Sequence, residues 1–451
     1  ELSVWMHEME TCQELSDLIA AAEAEADQLN EWQRANLREI RNQFLHANAI
    51  PTDLEEKLVL AESESEMAWR TARPDNDWQG LAPKLDTLFK LKREEATIKA
   101  DIMGVSPYEA MMDQYDPGRR EAQVDQIFGD LEAFLPGFVQ QVMDKQAAAP
   151  QALLPSGPFS IEKQEALSKE VMKIFGFPFE RGRLDTAHHP FSGGADGDVR
   201  ITTRYEEDDF MKSLMAVIHE TGHALYEDGR PAQWLGQPVG NSRGMTLHES
   251  QSLLLEMQAS RSEEFIRFLT PTIKRCLGGE GPAWEADNIL RIYRKVEPGL
   301  IRVYADEITY PLHVILRYKL EKAIIADEIA IGDLPGAWNE LMEKLLGIRP
   351  GDDTDGVMQD VHWPAGLFGY FPTYSLGALT SAQIFAAAQR ADSDILPGLG
   401  RGDFTPLFNW LDQHIRSQGC RYMPDELIEK ATGSSLDTTA FKASVKARYL
   451  A

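Results

Sequence analysis

Cysteine is scarce in this chain. Only Cys12, Cys276 and Cys420 occur in 451 residues. Their number is odd, their spacing wide and no CxxC pair exists, so neither a disulfide framework nor a thiolate metal site is supported. A reducing, cytoplasmic compartment is the expectation. No apolar run approaches the roughly 20 residues of a membrane span, and the N-terminus lacks a basic stretch followed by an apolar one. Neither a membrane partner nor a secretory leader is expected. The chain begins at Glu1 without an initiator Met, so further residues are expected upstream. Positive charge is also short, with 45 Lys and Arg against 72 Asp and Glu and a formal net charge of −27. Such a surface repels polyanions, which sets nucleic acid aside as a partner, while the acidity itself serves solubility and identifies no substrate.

The hydrophobic fraction of 43% with 26% charged residues is ordinary for a soluble protein with a substantial core. From Leu2 to about Arg73 apolar residues such as Leu15, Leu18, Ile19 and Ala22 recur at helical spacing. A break at residues 72–77 precedes a second helical run over about 81–100, then loops around Pro107 and Pro117, then helix again from about Glu121. Residues 146–158 combine small residues with helix breakers and form the best linker. The expectation is one catalytic domain over 1–451, with a helical front part to about residue 150 and a second part over about 151–451. One convincing strand, Val199 to Tyr205, places a small sheet in an otherwise helical second part.

The strongest local signal is His219-Glu220-Thr221-Gly222-His223 inside a helix expected over Met211 to Glu227, capped by Asp208 or Asp209 and ended at Gly229-Arg230-Pro231. Histidines four apart share one helix face a turn apart and can hold one zinc ion, with Glu220 able to take a proton from a water polarised there. A catalytic zinc needs a third protein ligand. Glu249, in Thr246-Leu247-His248-Glu249-Ser250, is the candidate. The same residues also spell a capping box, Thr246-x-x-Glu249, and His248 is a rival ligand.

With these residues in view, the sequence resembles the carboxypeptidase Taq family of thermostable zinc metallocarboxypeptidases. Six motifs follow in the family's order: His189-Pro190-Phe191, Asp198-Val199-Arg200-Ile201-Thr202, the His219 to His223 element, His248-Glu249-Ser250, Ile301-Arg302-Val303-Tyr304-Ala305-Asp306, and Gly356 through Asp360 to His362-Trp363. The likeness covers about residues 100–450 and is less clear before that. It implies a mainly α fold with a deep substrate groove, similar to neurolysin and the angiotensin-converting enzymes, to which the Val199 to Tyr205 strand adds the expectation of a small β-sheet beside the HExxH helix. It further implies a homodimer, peptide substrates, and release of single residues from peptide C-termini. It favours Glu249 as the third ligand to one zinc ion per chain, a site that cobalt also suits.

The remaining chemistry is assigned within those motifs. Negative charge developing on the scissile carbonyl oxygen requires a donor, for which Tyr374 is preferred over Tyr370 and His362. A terminal carboxylate calls for a planar guanidinium. Arg302 is the candidate, in a helix expected from about Leu300 to Ala323 where its bland alternative is an ion pair with Asp306, and Arg349 and Arg200 are substitutes. His189, Asp198 and Arg200 either line a groove, support the ligands, or form only a structural Asp198–Arg200 link.

Overall fold

The computed structural model describes residues 2–187 and 189–451, with side chains from residue 5 onward. The chain is 67% helical. It divides into two compact units, one of Glu1–Val139 with Glu297–Ser375, the other of Gln140–Val296 with Leu376–Ala451. Residues 146–158 are therefore not the divide. Their breakers end a long helix, Glu121–Ala147, and the unit boundary falls inside that helix. The first unit is the helical front part completed by a later segment that carries Arg302, His362 and Tyr374.

In the first unit the chain folds on a long helical hairpin, Thr52–Asp75 against Trp78–Met103. Asn76 makes the turn, at φ 54 in the left-handed region that Asn tolerates. Asp77 then caps the second helix by accepting from the Gly80 N–H at 2.9 Å. Ala49, Ile50, Leu54 and Leu58 pack at the start of this hairpin, with Leu91 and Ile98 against them. Pro107, read as a loop, instead occupies the first turn of a short helix, Pro107–Asp113, where its missing N–H costs nothing. Ser106 and Glu109 form the reciprocal cap of that helix.

The second unit holds the sheet, with order β1-β3-β2 for β1 (Gly182–Thr186), β2 (Phe191–Ala195) and β3 (Asp198–Thr203). β1 runs parallel to β3 and β2 antiparallel to it. β3 alternates as a half-buried strand does. Val199, Ile201 and Thr203 are buried while Asp198, Arg200 and Thr202 face outward. Val199 and Ile201 join Met172, Phe177, Leu184, Val217 and Ala224 in one apolar cluster. Val217 and Ala224 lie on the HExxH helix, Phe210–Asp228, so this cluster seats that helix on the sheet.

One buried group in the first unit gives a testable pH dependence. Glu321 is fully buried, and its carboxyl oxygens accept from Tyr108 Oη at 2.7 Å, Trp363 Nε1 at 2.9 Å and the Gly369 N–H at 3.0 Å. Burial nevertheless dominates those three donors and pushes its pKa up to about 7. The folded state then binds a proton that the unfolded chain has released. Stability from this site is fully present below about pH 4.5 and is lost as pH rises through about 7. The stability difference between wild type and Glu321→Gln, read from denaturant melts, should shrink by on the order of 3 kcal/mol from pH 5 to pH 8. A pH-independent difference would count against it.

Candidate metal centre and a second buried polar cluster

The HExxH helix starts where Asp209 accepts from the Met211 and Lys212 N–H groups and ends at Gly229. Asp208 makes no such cap. The chain returns as the helix Gly244–Leu253, which continues as a π-helical turn, Leu254–Ala259. The two helices cross at Gly222. A Cβ there would lie 2.6 Å from both Gln251 O and Ser252 Cα, backbone that cannot yield. Glycine inside the motif is thus what lets the return helix bring its side chains to the two histidines. Gly377 does the same from the other side, since a Cβ on it would lie 2.8 Å from Glu249 Cβ.

Thr246 is the third residue of the return helix and Glu249 sits in its middle, so the capping-box reading does not hold. Glu249 instead points its Oε2 at His223 Nε2, 3.4 Å away, and at His219 Nε2, 3.8 Å away. Candidate ligand atoms of all three residues lie within 4.8 Å of one another. Ligands about 2.1 Å from a tetrahedral ion stand roughly 3.4 Å apart, so the set closes on a divalent ion with small shifts. His248, the rival ligand, lies outside it. Its Nδ1 faces His223 Nδ1 at 2.6 Å and its Nε2 faces Glu227 Oε1 at 2.8 Å.

The electrostatics fit a cation. Burial disfavours a proton on His219, yet the Glu249 and Glu256 carboxylates outweigh it and lift the His219 pKa to about 10. Burial acts against charge on Glu249 too, and the adjacent imidazoles overcome it to hold its pKa near about 2. His223 is held down to about 4, first by burial. Glu220 is buried but not among the ligand atoms, and burial together with the Glu249 charge raises its pKa to about 7. Two imidazoles and one carboxylate leave a four-coordinate ion one position for water or substrate.

Behind the ligands stand residues the sequence reading passed over. His219 Nδ1 lies 3.0 Å from Glu256 Oε2, whose other oxygen accepts from Arg261 at 2.8 Å. Spacing could have found them: 256 − 249 = 7 and 227 − 223 = 4 return Glu256 and Glu227 to the ligand faces.

In the first unit, Arg302, His362, Tyr370 and Tyr374 come together. Arg302 does not lie in a helix. It opens a short 3-10 turn, Arg302–Tyr304, and the helix begins only at Tyr310. Asp306 causes the break, because its side chain accepts from the Ile308 and Thr309 N–H groups at 2.9 and 3.0 Å and from Thr309 Oγ1 at 2.8 Å. Arg302 pairs instead with Asp360. Its Nε and Nη2 lie 3.1 and 2.8 Å from Oδ1, and Arg317 Nε takes Oδ2 at 2.6 Å. The Arg302 guanidinium is 4.8 Å from the Tyr374 ring centre. Tyr374 Oη lies 3.0 Å from His362 Nε2, and Tyr370 packs edge-on to Tyr374. Burial and the Arg302 charge hold His362 down to about 3, so it is neutral.

The substitutes for Arg302 lie elsewhere. Arg349 is exposed and paired with Glu343 at 3.1 Å. Arg200 is exposed on β3 and grips Asp198 at 2.6 Å, the structural link. His189 is exposed, and its carbonyl accepts from Thr202 Oγ1 at 3.0 Å.

Comparison with known proteins identifies the family. The profile of the carboxypeptidase Taq (M32) metallopeptidase family matches residues 1–449. The thermostable carboxypeptidase 1 of Thermus thermophilus is 38% identical over 424 residues, 92% of this chain and 83% of that protein. That of Pyrococcus furiosus is 34% identical over 454 aligned positions, all of this chain and 90% of that protein. The solved structure of Trypanosoma cruzi metallocarboxypeptidase 1 superposes with a TM-score of 0.97 at 40% identity, over 99% of this chain and 90% of that one. The chain belongs to the carboxypeptidase Taq (M32) metallopeptidase family.

Proposed function

We propose that this protein is a zinc metallocarboxypeptidase that releases single amino acids from the C-termini of peptides. The observation that carries the proposal is the closed group His219, His223 and Glu249 with buried, unligated Glu220 beside it. His219 and His223 each present Nε2 and Glu249 a carboxylate oxygen, a donor set suited to zinc and also to cobalt. A divalent ion held there would supply Lewis-acid polarisation of a carbonyl and would lower the pKa of water. Glu220 takes the proton of the attacking water and returns it to the leaving amine. Tyr374, oriented by His362, donates to the charge developing on the carbonyl oxygen. Arg302 holds the terminal carboxylate. The proposal includes a cytoplasmic homodimer, on the family resemblance and on three cysteines that all remain free. No helix of the described residues is long and apolar enough to cross a membrane.

The test is product analysis on a peptide with a free C-terminus and on a blocked dipeptide, with and without chelator. Successive free amino acids, lost on chelation and restored by zinc, are expected. Internal fragments or dipeptides would replace the proposal with an endopeptidase or dipeptidyl carboxypeptidase, and chelator-resistant release would remove the metal from it.

A further inference from the structure

His223 and His219 are supported differently. Behind His219 stands one carboxylate, Glu256. Behind His223 stands a second imidazole, with Nδ1 facing Nδ1 at 2.6 Å, and only then a carboxylate, Glu227, at 2.8 Å from His248 Nε2. Two facing ring nitrogens at that distance need one proton between them, and the rest of the chain of contacts decides on which. Glu227 is an acceptor, since its Oε2 already takes Arg230 Nε at 2.9 Å in an ion pair and a carboxylate so paired has no hydrogen to give. His248 Nε2 must therefore carry a hydrogen towards Glu227. With its ring hydrogen placed on Nε2 by that contact, His248 presents Nδ1 as an acceptor, so His223 donates from its own Nδ1 and keeps the Nε2 lone pair. That Nε2 is the atom facing Glu249 Oε2. The relay continues through Arg230 Nη2 to Asp196 Oδ1 at 2.6 Å, in the two-residue turn between β2 and β3.

We propose that His248 and Glu227 are positioning residues for the metal centre, which fix His223 as the Nδ1–H tautomer so that its Nε2 lone pair binds a divalent cation, and that Arg230 ties this relay to the β2–β3 turn. Sequence alone allowed His248 to be a ligand; here it acts one step behind one. A ligand imidazole freed of its orienting partner samples the wrong tautomer and rotates, and losing such a partner typically lowers metal affinity about 10- to 100-fold. The proposal rests on the metal reading above.

The test is competition for zinc between the metal-stripped full-length protein and a chromophoric chelator, with apo-protein thermal melting as the folding control. His248→Ala and Glu227→Ala should each bind zinc about 10- to 100-fold more weakly. Glu227→Gln retains an acceptor oxygen for His248 Nε2–H and should stay within a few-fold of wild type. His248→Asn, which offers Oδ1 near the lost Nδ1, should recover part of the affinity and serves if His248→Ala does not fold. Folded His248→Ala and Glu227→Ala proteins that bind zinc within twofold of wild type would overturn the proposal. His219→Ala separates the two layers. If it binds zinc as well as wild type, the metal centre itself is misplaced and the relay falls with it; if it loses the ion, the His248 and Glu227 results stand on their own.

Discussion

Glu220→Gln should retain the divalent ion and lose at least about a thousandfold in kcat, within the range for removing a general acid–base that acts in two steps. The substitution is nearly isosteric and leaves His219, His223 and Glu249 untouched. These are the three residues whose ligand atoms converge. An amide in the place of the Glu220 carboxylate cannot accept a proton from water or pass it on. Burial in a region already carrying Glu249 and Glu256 raises the Glu220 pKa to about 7, a proton affinity far above that of an exposed carboxylate. A cation beside it acts in the opposite direction, so the experiment is read in kcat and metal content rather than in a pH optimum. His219→Ala, His223→Ala and Glu249→Ala should each lose bound metal, as measured by atomic absorption after gel filtration. Purified Glu220→Gln protein that is metal-free, or that keeps more than a tenth of wild-type turnover, would remove Glu220 from its role.

The candidate metal centre was legible because its signal is local. His219 and His223 are one helical turn apart, and Glu249 recurs in a short motif on the return helix. The resemblance to the carboxypeptidase Taq family chose Glu249 over the capping box, and the helix start at Gly244 gives the physical reason, since Thr246 comes too late to cap. Two strands escaped notice for an equally local reason. β1 buries one residue of five and β2 none, so neither shows the apolar alternation that revealed β3. The Arg302 helix was misread because apolar periodicity continues across a point where Asp306 captures the N–H groups a helix would use. The Asp360 pairs were invisible in principle, as its partners Arg302 and Arg317 lie 58 and 43 residues away.

Those pairs bear on the proposed role of Arg302. Two guanidinium groups share the single carboxylate of Asp360, and His362 and His313 beside them are held neutral, by burial first and then by the same positive charges. Two guanidinium groups thus share one carboxylate in a buried setting, an arrangement that favours an incoming carboxylate. Asp360 takes Arg302 Nε and Nη2, and Tyr310 Oη lies 3.2 Å from Nη1, so three of the five guanidinium N–H groups are engaged. Two remain, the number a carboxylate accepts. Wild type should therefore prefer a free-acid peptide to its C-terminal amide by on the order of a hundredfold in kcat/KM, the scale of removing one partner from a desolvated charge pair. Arg302→Ala should scarcely distinguish the two substrates. Arg302→Lys should recover little of the preference, because an ammonium cannot hold Asp360 and a second carboxylate with one planar fork. If Arg302 serves only to brace Asp360, Arg302→Ala will lower thermal stability and leave the acid-to-amide ratio at its wild-type value. Arg317 then becomes the guanidinium to test, as the other cation on the same carboxylate.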